Sequence, residues 1–282
     1  MPVDYDLITE IGGTEITNEA ASMVYTRYAL AADLAVGKRT LEIGCASGVG
    51  LGLIMEHADF VVGGDVFLPM LQSARRHYGH RLPLAQFSAT ELPFADGSFD
   101  FVLFMEATYY VRDFDRALDE IERILAPDGS LLFVNANPER PDFIRSPHSE
   151  HYHSAGEFRD LLEGRGYSVK TSGAFSLGAR RNGRAARVRS MAVGAARKVA
   201  GALHLIPKTL RGRARIKRLI FGKLRTMPPE LPRDFAPRVP LVSLGDGRAS
   251  EHKVIYVVAR RGAVTGQKSF GAQAVERAIS SG

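Results

Sequence analysis

The 282-residue sequence predicts an α/β protein: a doubly wound, seven-stranded, mostly parallel sheet, with a basic helical insertion between its sixth and seventh strands. Three observations predict this. Short apolar runs alternate with segments of helical spacing along residues 1–177. The runs are nearly continuous rather than alternating in polarity, as in parallel strands covered on both faces. Positive charge is confined to one stretch: residues 178–238 hold seventeen Lys and Arg against two acids, Glu230 and Asp234. That stretch is +15 in a chain whose total is +6, so the remainder carries −9.

In chain order, "TNEAASMVYTRYALAADL" within residues 1–35 reads as a helix that covers the sheet, with Thr17 or Asn18 as its cap. "TLEIG" (40–44), "FVVGGD" (60–65), Leu82–Phe87, "FDFVLFM" (99–105) and "SLLFVNA" (130–136) are the first five strands. "VGLGLIMEHA", "FLPMLQSARRHYG", "DRALDEIERILA" and "SAGEFRDLLEGRG" are helices among and after them. Pro127, Asp128 and Gly129 stop one helix, and Ser154 with Glu157 has the spacing of a capping box that starts another. "YSVKTSGAF" is the sixth strand and "HKVIYVVAR" the seventh. The main domain is therefore read as 1–177 plus 251–262, with 178–250 inserted and 263–282 a polar, partly disordered tail.

Composition excludes several classes. A single cysteine, Cys45, excludes an internal disulfide, and no Cys/His cluster has zinc spacing, so no metal site is assigned. No segment reaches ~18 apolar residues, and "MPVDYDLITE" carries acids where a secretory signal carries bases, so a cytoplasmic location is expected.

The glycines of "LEIGCASGVG", residues 41–50, follow the first strand directly and leave room for a ligand to approach the backbone. The G-x-G-x-x-G of dinucleotide folds is not met, because from Gly44 the next two positions are Ala46 and Val49. Glu42-x-Gly44-x-Ala46-x-Gly48 instead resembles the first motif of class I S-adenosylmethionine-dependent methyltransferases. Asp65 in "GGDVF", the stretch "SATELPFADGSFDFV" and the run "MEATYYVRDFDRALDEIERILAPDGSLLFV" extend the resemblance in order and spacing over about residues 36–175. It implies a Rossmann-like methyltransferase fold with S-adenosyl-L-methionine as cofactor. Implied cofactor-binding residues are Glu42, Gly44, Cys45, Ala46, Gly48, Asp65, Val66, Ser88, Ala89, Met105 and Glu106, with Arg27 and Tyr28 of the cover helix. Asp65 would hold both ribose hydroxyls and Arg27 the methionine carboxylate. Ala46 stands where the family usually has glycine, and Ser88 where an aspartate usually meets the adenine.

An oxygen acceptor must lose its proton, and candidate bases follow the fourth and fifth strands: Glu106, Tyr109 and Tyr110, and His148, His151 and His153 in "SPHSEHYHS". "MEATYY" stands where nucleic-acid adenine methyltransferases have Asn/Asp-Pro-Pro-Tyr/Phe, which favours a small-molecule acceptor. "SPHSEHYHSAGEFRDLL" is loosely similar to the acceptor loop of family members acting on glycosides, so O-methylation of a sugar-containing or other small hydroxylated metabolite is expected first. Methylation of a membrane quinone or lipid is the alternative, and a nucleic-acid-binding protein on the same scaffold is the alternative of another class.

Within the insertion, "AARVRSMAVGAARKVAGALHLI" and "KTLRGRARIKRLIFGKL" pair apolar residues at helical spacing with dense basic faces, and "MPPELPRDFAPRVP" is a connector without regular structure. The segment 178–238 is expected to cap the active site or to touch an anionic membrane peripherally. Phe221 is its sole aromatic before Arg233, which argues against a single-stranded nucleic acid partner.

Overall fold

A computed structural model describes residues 11–146, 148–176, 224–245 and 249–261. Its elements are β1 (Glu15–Ile16), α1 (Asn18–Leu34), β2 (Arg39–Ile43), α2 (Leu51–Met55), β3 (Phe60–Asp65), α3 (Leu68–Tyr78), β4 (Leu84–Gln86), β5 (Phe99–Met105), α4 (Phe114–Ile124), β6 (Leu125–Ala136), α5 (Ala155–Glu163), β7 (Tyr167–Ser176), β8 (Arg225–Thr226), β9 (Val242–Ser243) and β10 (His252–Arg261). The main sheet has the order β4-β3-β2-β5-β6-β10-β7-β9. Strands β2 to β6 pair in parallel, while β10 runs antiparallel to both β6 and β7. This is the doubly wound α/β architecture expected of the sequence.

Two apolar layers sandwich the sheet. Leu103, Met105, Val134 and Tyr256 meet α1, α2 and α3 on one face, and Phe104, Phe133 and Val257 meet α4 and α5 on the other. Thr17 caps α1 by accepting from the Ala20 N–H at 3.1 Å. Ser154 and Glu157 form the capping box of α5 in both directions. The helix after β2 is shorter than its apolar spacing suggests, closing at Met55. Strand β6 starts at Leu125, before the Pro127–Gly129 turn residues, and takes up the extra length as a register shift against β5 between Phe99 and Phe101.

Among the described residues the sheet has eight strands rather than seven, because β9 adds to β7, pairing Val242 with Gly173 and Ser243 with Ser172. An unpaired edge is thereby covered from inside the stretch expected to be an insertion. The proline-rich connector is irregular, as its composition suggests, yet it is not loose: Met227, Leu231, Phe235 and Ala236 are buried in the α1 and α2 core. The basic helices expected before residue 224 and the polar tail lie outside the described residues.

Candidate cofactor and acceptor site

The ends of β2, β3 and β5 place the predicted site residues along one edge of the sheet. The Gly44 and Cys45 N–H groups donate to the Gly64 carbonyl at 2.8 and 2.9 Å, which turns the chain sharply out of β2. Gly44 and Gly48 have φ of +74° and +72°, a region closed to most side chains. Ala46 shares it at +48°. Its N–H donates to Asp65 Oδ2 at 2.8 Å, so the left-handed alanine is held by the very acid that ends β3. Asp65 Oδ1 accepts from the Phe67 N–H at 2.8 Å. Burial raises the Asp65 pKa against the pull of these N–H donors. The Val66 N–H adds to these donors, so among the described residues the carboxylate is held by backbone alone and no side chain donates to it.

Glu42, 1 % exposed, lies beneath the turn. Tyr28 of α1 donates its hydroxyl to Glu42 Oε1 at 2.8 Å, and Oε2 is buried with no hydrogen-bond partner. Burial pushes the Glu42 carboxyl up to about 7, and burial followed by the Glu42 charge pushes the Tyr28 hydroxyl up as well. Arg27 is also buried, its guanidinium carbon 5.5 Å from the Tyr28 ring centre. The cover helix thus brings Arg27 and Tyr28 to the glycine turn. Cys45 turns its side chain inward, where burial raises the thiol, and serves the turn through its backbone.

Val66 is exposed beyond Asp65, and Met105 is buried at the end of β5. Ser88 is exposed and holds Thr90 through its Oγ, 2.8 Å from the Thr90 hydroxyl, with Ala89 partly buried beside it. Glu106 has φ of +52°, and the Tyr109 hydroxyl donates to its Oε2 at 3.1 Å. Two of the histidines meet: the His151 and His153 rings lie edge to face with centres 4.5 Å apart. His148 is exposed, with φ of +67°. His151 is an exposed partner of Glu157 at 3.3 Å. His153 packs on Phe114 and Phe158, where burial lowers its pKa.

Sequence reasoning missed two supports. The Tyr78 hydroxyl donates to the Gly48 carbonyl at 2.7 Å and accepts from the Gly52 N–H at 3.1 Å, locking the turn to α2. Leu231 of the connector donates its N–H to the Val49 carbonyl at 2.7 Å. Tyr78 carried only the signal of an apolar helix position, and Leu231 none. No group of three or more His, Cys, Asp or Glu able to hold a metal ion is found among the described residues.

Residues 41–133 match the family model of a methyltransferase domain. A phthiotriol/phenolphthiotriol dimycocerosates methyltransferase of Mycobacterium ulcerans is 36 % identical over 120 residues, 41 % of this chain and 43 % of that protein. A fatty-acid O-methyltransferase of Mycolicibacterium smegmatis is 33 % identical over 124 residues, 43 % and 45 % of the two chains. The chain thus spans under half the length of the curated relatives it matches. Among solved structures, the YcgJ protein of Bacillus subtilis superposes with a TM-score of 0.53 at 18 % identity over 84 % of this chain and 98 % of that one. The [4+2]-cyclase SpnF gives 0.53 at 19 % over 90 % and 87 %. The family match therefore covers the β2-to-β6 part of the sheet, including the glycine turn, Asp65 and Glu106, and the solved structures share the α/β fold.

Proposed function

We propose that this chain, carrying a class I methyltransferase domain, transfers the methyl group of S-adenosylmethionine to an oxygen of a lipid-like hydroxylated or carboxylated acceptor. The observation that carries the cofactor half is the Glu42 and Asp65 pair around the glycine turn. Glu42 offers a buried oxygen without a partner, suited to a cationic donor, and Asp65 offers a carboxylate held by backbone N–H donors. The acceptor half is supported by the relatives named for a phthiotriol and a fatty acid, which favour the lipid alternative over the sugar expected first.

When bound, the cofactor supplies a sulfonium methyl open to in-line displacement by a nucleophile. The rest falls to the protein. Asp65 would orient the ribose, and Glu42 and Arg27 would take the two charges of the methionine end. Glu106, at the end of β5 with Tyr109 on its Oε2, would receive the proton of the acceptor hydroxyl. His151 and His153 are engaged with Glu157 and with the α4 and α5 aromatics, which favours Glu106 as the base. Calorimetry with S-adenosylhomocysteine should show binding, and Asp65→Ala should weaken it by about 2 kcal/mol, roughly 30-fold in Kd. Absence of binding, or an unaffected variant, would sink the proposal.

A further inference from the structure

The segment after β5 touches the glycine turn directly: a Cβ at Gly44 would lie 2.7 Å from the Ala107 Cβ. Two residues on, Tyr109 stacks face to face on Tyr152, with ring centres 4.0 Å apart and planes at 16°. Phe143 meets the Tyr152 ring edge-on at 4.7 Å, and Tyr110 tilts against Tyr109 at the same distance. The loop that brings Phe143 and Tyr152 here is pinned. The Arg145 guanidinium donates to the Ser149 and Glu150 carbonyls at 2.9 and 2.6 Å, and the Glu150 N–H donates to the Tyr109 carbonyl at 2.7 Å. The Tyr152 hydroxyl accepts from the Ser146 N–H at 3.2 Å, and the Tyr110 hydroxyl is 2.7 Å from Ser146 Oγ.

All three tyrosine hydroxyls therefore have a partner within the protein, and the wall is made chiefly of rings and alkyl carbon. A sugar ring would ask for the opposite. Tyr109 and Tyr152 are buried at 8 % each, Tyr110 is 42 % exposed beside them, Ile144, next in sequence to Phe143, is 54 % exposed, and the inner end of the wall is the Glu106 carboxylate. That pairing of an acid with an apolar wall matches one ligand shape, a hydroxyl or carboxyl head on a hydrocarbon chain. We infer that the Tyr109/Tyr152 stack with Tyr110, Phe143 and Ile144 is the acceptor subsite for an alkyl or acyl chain, entering head first toward Glu106. This rests on the methyltransferase reading and assigns it a substrate class at residue level.

The test is calorimetry on the full chain, loaded with S-adenosylhomocysteine and also ligand-free, titrated with 1-hexanol, 1-octanol and 1-decanol. Affinity should rise roughly threefold per added CH₂, the size expected for alkyl carbon leaving water on one side. Ile144→Ser and Tyr110→Ser, both at exposed positions, should flatten that slope and leave S-adenosylhomocysteine affinity within about twofold. Alkanols that fail to bind either form, or a slope unchanged in both variants, would overturn the subsite. Binding of methyl glucoside in place of the alkanols would also overturn it, in favour of a sugar. Failure of S-adenosylhomocysteine alone to bind would instead count against the cofactor reading, with the ligand-free titration still reporting on the wall.

Discussion

At the scale of the residue, Glu42 shows how burial sets a charge to be completed by a ligand. Its carboxyl has left water, has one hydroxyl donor in Tyr28, and is pushed up from 4.5 to about 7. A folded carboxyl that holds its proton above the unfolded value makes stability fall as pH rises from about 4.5 through 7, because the folded state binds the extra proton in that window. A ligand bearing an ammonium group reverses the preference, since it needs the ionised form. S-adenosylhomocysteine should therefore bind roughly 10-fold more weakly at pH 6 than at pH 8, where ionising Glu42 no longer costs free energy. Glu42→Gln should remove most of that dependence, and calorimetry at the two pH values measures it. Equal slopes in both proteins would show that Glu42 does not meet the ligand. Glu42 and Asp65 could be picked out in the sequence because Glu42-x-Gly44-x-Ala46-x-Gly48 and the acid closing "FVVGGD" together resemble a known motif, each acid alone being an ordinary strand residue. Tyr28 on Glu42, Tyr78 on Gly48 and Tyr152 on Tyr109 could not, since these contacts join residues 14, 30 and 43 positions apart and follow from packing rather than from local pattern.

At the scale of the element, the connector behaves as a strap. It leaves the strand pair of β8 with β1, and Glu230 lies against α2 where Gly52 has no side chain. A Cβ at Gly52 would run into Glu230 Oε1 and the carboxyl carbon behind it. The other carboxylate oxygen meets His77 Nε2 at 2.6 Å and Arg81 at 2.9 Å, so α3 holds the strap while α2 makes room for it. Arg233 to Glu56 and Arg238 to Asp33, both at 2.7 Å, continue the seam along α2 and α1. Gly52→Ala and Glu230→Ala should each lower the melting temperature by a few degrees and act through the same contact. The double variant should fall no further than the worse single, a non-additivity that thermal unfolding reads directly. Additive losses would mean that the two residues do not share this contact. Strands and long helices were readable because nearly continuous apolar runs and 3.6-residue spacing are local properties. The strap was not, because proline-rich sequence signals only the absence of regular structure, and its burial depends on a gap left at Gly52, 178 residues earlier.

At the scale of the whole molecule, the fold narrows the function less than the site does. The [4+2]-cyclase SpnF shares this fold at 19 % identity, so the architecture alone does not specify methyl transfer. What the chain adds to the fold is a separation of charge. Of its basic segment, Arg233 and Arg238 are paired with acids and Arg225 lies over the Phe235 ring at 4.7 Å. Residues 180–223 contain fourteen Lys and Arg and no acid, while the chain outside 178–238 carries −9. Among the described residues no helix is long and apolar enough to cross a membrane. A strongly positive segment joined through the strap to the edge of the cofactor turn would hold the site against an anionic surface, and a lipid-like acceptor would be met there. Each cation near such a surface is worth about 1 kcal/mol, and exchanging five for glutamate removes the attraction and adds repulsion. The protein should therefore float with phosphatidylglycerol vesicles at low salt and be released at high salt, since screening shortens the reach of the field. Reversing Arg211, Arg213, Arg215, Lys217 and Arg218 should abolish flotation and leave S-adenosylhomocysteine affinity unchanged, because none of these residues belongs to the glycine turn. A wild-type protein that stays in solution at low salt would reject the membrane contact and leave the charge to a soluble polyanion or to solvent.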